Sequence, residues 1–142
     1  MKALLDAIKS RFTAQSLGST VTGGLFMVNA KRASFPYLVV TPIAGPTTDT
    51  FGSAVQHYEA IVQFSLFFQG SGTEGAAAAL TMMATVMAAY DDHSPTLTGK
   101  TCFGMWREND PIPELEPSED PQKTSAAVNV WQCHCTYHYL VQ

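Results

Sequence analysis

Charge is what this 142-residue chain has least of. Only 14% of its residues are Asp, Glu, Lys or Arg, against about a quarter in ordinary soluble domains. A free monomer with so few charges exposes a large uncharged surface, and such a surface is more comfortable inside an assembly. Cysteine is scarce and odd in number, at three, which argues against a disulfide framework. No apolar run approaches the ~18 residues of a membrane span. The start does not read as a secretion signal, because Asp6 and Lys9 interrupt the apolar residues that follow Lys2. These absences predict a protein made and kept in a reducing cytoplasm, with no membrane partner.

What is present is an apolar content of 46%, which excludes a disordered chain. The length predicts one domain, residues 1–142, with a sizeable single core. The net charge of −4 hides an asymmetry. Residues 1–48 carry five basic side chains (Lys2, Lys9, Arg11, Lys31, Arg32) against Asp6 alone, while residues 49–142 carry three basic against eleven acidic. Such a chain can pair head to tail with copies of itself. The bland alternative is solvated charge without a partner.

The pattern is organised around residues 58–90. From Tyr58 to Gln69, Val62, Phe64, Leu66 and Phe68 alternate with Gln63, Ser65 and Gln69, the period of a half-buried strand. Gly70-Ser71-Gly72 reads as a turn, and Thr73 to Tyr90 as a helix with Thr73 as its cap. Ala76, Leu80, Met83, Met87 and Tyr90 fall on one helical face. The run Ala76 to Ala79 lets that helix lie close to its support. Asp91, Asp92, Ser94 and Pro95 stop it, with the two acids directed to solvent or to a partner.

Residues 3–17 read as a first helix, with Leu5, Ile8 and Phe12 on one face, Leu4 beside them, and Gly18 ending it. Leu25 to Val28 and Pro36 to Thr41 read as strands, the second ended by Pro42, Gly45 and Pro46. Residues 44–56 read as a long Thr/Gly-rich loop. A further strand covers Thr101 to Arg107. Residues 108–124 contain six of the twelve acids and four prolines, a density that forbids helix and favours an extended arm. The closing strand, Ala126 to Val141, alternates Trp131, Cys133, Cys135, Tyr137, Tyr139 and Val141 with Gln132, His134, Thr136 and His138. The expectation is an α+β domain: a single mostly antiparallel or mixed sheet of about four to five strands, two helices on one face, and an extended proline- and acid-rich arm at 108–124.

Several motifs invite chemistry. Gly70-Ser71-Gly72-Thr73-Glu74-Gly75 fits G-x-G-x-x-G. Against a nucleotide site stand the alternation of the preceding strand, the lack of an acid at the end of the next strand at the required distance, and the short chain. Cys133, His134, Cys135 and His138, with Cys102, suggest zinc. Strand alternation instead sends the cysteines to one face and the histidines to the other. No serine lies in a nucleophile setting, and His57, His134 and His138 read as sheet residues. The basic residues are too dispersed for a nucleic-acid patch. The reading is a non-enzyme without cofactor or metal.

As a whole, the landmarks resemble the tail terminator (tail completion) proteins of long-tailed bacteriophages. They are the N-terminal helix, Pro36-Tyr37-Leu38-Val39-Val40, the Glu59-to-Gln69 strand, the alanine-rich helix ending at Tyr90-Asp91-Asp92, Leu97-Thr98-Gly99 and the closing aromatic strand. The resemblance implies a virion structural protein at the tail-neck junction, assembled in the host cytoplasm. It implies a homo-oligomeric ring, commonly a hexamer, that caps the tail tube and stops its polymerisation. It also implies partners in the tail tube and neck proteins, and DNA passing through without sequence-specific binding. The acidic balance suits such a channel, since gripping DNA takes clustered Lys and Arg. Two regions are expected to make assembly contacts: Lys31, Arg32 and Asp49 with the 44–56 loop, and Asp110, Glu114, Glu116, Glu119 and Asp120 on the arm. The alternatives are another neck or head-completion (head-tail joining) component, or a small nucleotide-binding domain using Gly70–Gly75.

Overall fold

The computed structural model describes residues 1–31, 33–45, 47–49, 56–115 and 129–142. The elements are α1 (Lys2–Ala14), a short 3-10 turn (Leu17–Ser19), β1 (Leu25–Met27), β2 (Tyr37–Ala44), β3 (Thr47–Asp49), β4 (Gln56–Gly70), α2 (Gly72–Tyr90), β5 (Cys102–Arg107), β6 (Pro113–Leu115) and β7 (Asn129–Val141). They form one seven-stranded mixed sheet and two α-helices, the α+β architecture expected. The strand path is β1-β2-β4-β7-β5, with β3 added to β4 and β6 added to β7. β1 is parallel to β2, and the other pairings are antiparallel. No described helix is long and apolar enough to cross a membrane.

The spine is the β4–β7 ladder, in register from Tyr58 opposite Val141 to Gly70 opposite Asn129. The period-two pattern of both strands puts Val62, Phe64 and Leu66 beside Cys133, Cys135, Tyr137, Tyr139 and Val141, all at most 1% exposed. Leu38 and Val40 extend this face across β2. Both helices cover it. α1 contributes Leu4, Ile8 and Phe12, and α2 contributes Gly75, Ala79, Met83, Val86, Ala89 and Tyr90. Each large side chain so buried contributes roughly 1.5–3 kcal/mol before chain entropy is subtracted. The helices are tied by the Tyr90 hydroxyl, which donates to the Ile8 carbonyl at 2.8 Å, and by Arg11 Nε, which donates to the Ala89 carbonyl at 2.8 Å. The second bond places a cation on the C-terminal carbonyls of α2, where the helix dipole favours it.

The structure corrects several local expectations. The face of α2 in the core is rotated from the expected one: Met83 and Tyr90 are buried, but Ala76, Leu80 and Met87 flank the contact while Gly75 and Ala79 occupy it. Close approach decides this. A Cβ on Gly75 would stand 2.6 Å from Trp131 Nε1 and 2.8 Å from the Gly70 carbonyl carbon. Ser71, not Thr73, takes the cap position, and its side chain makes no capping bond. α1 ends at Ala14 rather than near Gly18, with Ser16 in the left-handed conformation. Pro42 does not end β2, which continues to Ala44. β1 pairs only with residues 38–40, so Pro42 lies on the outer edge, where a missing amide is harmless.

The 44–56 stretch is not a plain loop. β3 continues the line of β2 along β4, pairing Thr47 with Tyr58 and Asp49 with Gln56. The first part of the 108–124 stretch is likewise part of the sheet. Glu108 donates its amide to the Thr136 carbonyl, and β6 pairs residues 113–115 with residues 133–131 of β7. Prolines 111 and 113 are compatible with this because it is an edge, where an extended strand does not need every amide. Residues 116–124 lie outside the described residues, as do 126–128 at the expected start of the closing strand.

Candidate assembly surface

The helices leave one sheet face to be covered by other means. Tyr37, Val39 and Thr41 of β2, Gln63, Ser65 and Phe67 of β4, and His134, Thr136 and His138 of β7 belong to it, by alternation with the core residues. The rings of Tyr37 and Phe67 stack at 4.8 Å, and Phe26 meets Tyr37 edge-on at 6.1 Å. Across the sheet, Trp106 of β5 stacks on His138 at 4.8 Å. Between these groups lies a shallow depression of about 360 Å³, lined by Val28, Asn29, Gln63, Gln132 and His134 among others.

The two histidines on this face sit in opposite electrostatic settings. Gln63 Nε2 lies 2.8 Å from His134 Nδ1, and Ser65 Oγ lies 2.9 Å from the same atom. An amide nitrogen only donates, so Nδ1 accepts and the neutral ring carries its proton on Nε2. Burial lowers the pKa of His134, with Glu114 opposing weakly. His138 contacts carboxylates at both nitrogens, Nδ1 to Glu59 and Nε2 to Glu108, the latter at 3.2 Å. Burial disfavours its charge, but the bonds to Glu59 and Glu108 outweigh burial and raise its pKa.

These placements bear on the candidate chemistry. Cys133 and Cys135 lie in the core under the helices, and burial pushes their thiols up to about 11 and about 12. The histidines face the other way and are occupied by Gln63, Ser65, Glu59 and Glu108. Among the described residues no three His, Cys, Asp or Glu side chains are grouped to hold a metal. Within the glycine motif Gly70 and Gly75 are packed against protein, while residues 71–74 are exposed. Trp131 Nε1 donates to the Gly70 carbonyl at 3.2 Å, and Gly75 fills the space beside it. The strand that enters this turn is antiparallel to both neighbours, unlike the parallel strands of dinucleotide folds.

The described residues expected to make assembly contacts fall in three places. Lys31 is exposed in the loop that follows β1. Asp110 is exposed beside β5 and pairs with Arg107, and Glu114 is exposed on β6. Asp49 ends β3, where its backbone pairs with Gln56. Arg32, Glu116, Glu119 and Asp120 lie outside the described residues. The sheet therefore does not bring Lys31 together with Asp110 and Glu114 but holds them on opposite edges, β1 and β5–β6.

Two clusters went unread in the sequence. His138, Glu59, Glu108 and Trp106 meet only because β4 and β5 flank β7, with Ile61 opposite His138 on one side and Trp106 opposite it on the other, a register that no local pattern contains. Asp91 is directed inward, not to solvent or to a partner. It accepts from the Tyr137 hydroxyl at 2.7 Å and from Arg107 Nε at 3.2 Å.

No family model matches the sequence, and no curated protein matches it. A solved structure of the virion of a native gene transfer agent (GTA) particle contains a similar chain. The likeness spans 99% of this chain and 95% of that one at a TM-score of 0.69, with 16% sequence identity. At that identity it is a likeness of fold. A second solved chain overlaps at a TM-score of 0.47 and 15% identity, too loosely to bear on the fold.

Proposed function

We propose that this chain is a virion structural protein that forms a ring on the end of a phage-type tail tube. In this reading it terminates tube polymerisation and joins the tail to the head or neck, as a tail terminator does. The observation that carries the reading is the shared fold, over nearly the whole chain, with a chain of a phage-like virion particle. Scarce charge, apolar side chains exposed near both sheet edges, and acidic and basic groups held on opposite edges support it. The protein acts by binding, not by turnover. It needs no cofactor, and its partners are copies of itself (six in the ring), the tube protein and a neck protein. DNA passes through the ring without base-specific contacts, at the tail-neck junction of the virion.

Light scattering of the purified protein, followed by its addition to polymerising tail-tube subunits, tests this. A defined multimer that fixes tube length is the expected result. A monomer that leaves tube growth unchanged overturns the reading. A ring that binds a neck protein but not the tube assigns it instead to another head-tail joining component.

A further inference from the structure

The strand path has two outer sides among the described residues, β1 with the end of β2 and β3 on one, and β5–β6 on the other. The register puts β1 and β5–β6 at the same height. Leu25 and Met27 lie opposite Leu38 and Val40, which lie opposite Leu66 and Phe64, which lie opposite Cys133 and Cys135. On the far side, Cys133 meets Pro113, and the Glu108 amide reaches the Thr136 carbonyl. Residues 109–112, where β5 and β6 are interrupted, therefore stand level with β1. The directions also match: β1 runs parallel to β2 and hence to β7, and β6 runs antiparallel to β7. A β1 edge brought to a 109–115 edge meets it antiparallel, the geometry of a ladder between strands.

The side chains agree with this. Val28, just after β1, is 61% exposed, while Ile112 and Leu115 on the far edge are 70% and 50% exposed. Lys31 is exposed at the first edge, and Asp110 and Glu114 are exposed around Ile112 at the second. The two edges are four strand spacings apart, roughly 19 Å, so they cannot meet within one molecule.

We propose that the β1 edge and Lys31 of one copy dock on the 109–115 edge of a second copy. The occupant is a second copy because one chain carries both complementary halves on opposite edges. A two-fold contact of the acidic edge with itself sets Asp110 and Glu114 against like charges, which is disfavoured. The contact is head to tail, leaves one free edge at each end and repeats until it closes. This names the subunit contact of the ring proposed above and rests on that reading for its closure, not for the pairing itself.

The test uses the full chain with Lys31→Glu, with Glu114→Lys, with both together, and with Ile112→Asp, followed by sedimentation velocity over a concentration series. Thermal melting of each variant checks that the fold persists. Each single change weakens association by about tenfold or more, and the charge swap recovers most of that loss. Singles that assemble like the parent, or a swap no better than the singles, overturn the docking. If those same rings still halt tubes, the terminator reading stands without it. If the parent associates with the expected charge dependence but leaves tubes untouched, the docking stands and the terminator reading falls. A parent that stays monomeric at every concentration ends both.

Discussion

The Tyr137 hydroxyl donates to an Asp91 carboxylate oxygen at 2.7 Å, joining the end of α2 to the middle of β7. Arg107 of β5 donates to the same oxygen at 3.2 Å, so one carboxylate holds three elements together. Tyr137 is wholly buried. Burial, the largest cause, together with Cys135 and Asp91, drives its phenol pKa far up, so it remains a donor at any ordinary pH.

Replacing Asp91 with Ala leaves that hydroxyl buried without an acceptor. We expect a loss of about 1.5–3 kcal/mol in urea unfolding, the scale of a hydrogen bond to a charged group. Tyr137→Phe removes the donor and costs less. The double variant should fall short of the sum of the two, because both remove the same bond. Strictly additive losses would show that the bond contributes nothing.

Gly75→Ala should destabilise, although alanine ordinarily favours a helix over glycine. The added methyl meets Trp131 Nε1 at 2.6 Å and the Gly70 backbone at 2.8 Å, so α2 must lift or Trp131 must turn. Overpacking of this kind costs about 1–3 kcal/mol. The measurements are thermal unfolding and tryptophan emission, with Trp131 losing its bond to the Gly70 carbonyl. An unchanged or higher melting point contradicts the packing described.

The histidines of the open face should titrate in opposite directions from the ordinary value near 6.5. His138, held by Glu59 and Glu108, is raised, so its stabilising contribution is complete below pH 6.5 and is lost as pH rises through its folded pKa. His134, lowered by burial, contributes stability above pH 6.5 that is lost as pH falls toward its folded pKa. Ring-proton NMR titration should place the His138 midpoint above 6.5 and that of His134 below. His138→Gln should lower stability most below pH 6.5, where the ion pairs are complete, and remove the decline as pH rises above it.

Thiol reactivity should divide the cysteines. Cys133 and Cys135 are buried and hold their protons, while Cys102 is only half-buried. At pH 8 a thiol reagent should modify Cys102 first and the other two only with unfolding. Rapid reaction of all three in the native protein would mean that α2 does not stay on the sheet. Burial raises the Cys102 pKa as well, so its rate should be slower than that of a free thiol.

The long strands were legible because alternation survives burial on one side. Phe64, Leu66, Cys135 and Tyr137 all took the face that their period assigns. The helix face was legible only in part. Periodicity weighs large apolar residues, whereas the contact of α2 is set by how little space Gly75 and Ala79 take. β3 and β6 were invisible for a different reason. Three-residue strands rich in Thr, or containing Pro and Glu, have no period to detect and exist because a long neighbour offers them an edge. The charged candidates were named from the sequence, but the separation of Lys31 from Asp110 and Glu114 follows from strand order, which no local pattern contains. Helix-dipole reasoning directs Asp91 to solvent or to a partner, and the tertiary donors Tyr137 and Arg107 override that local preference.

The placement of β7 has a consequence for how the protein comes into being. β7 is laid between β4 and β5, both of which precede it in the chain. Until it arrives, β4 offers a bare thirteen-residue ladder, and α2 has only half of its floor. Folding of the nascent chain must therefore wait for residues 129–141 and close over long sequence separations, which makes it slow. A chain stalled before residue 129 has every element but the one that holds them together, and its open ladder invites aggregation.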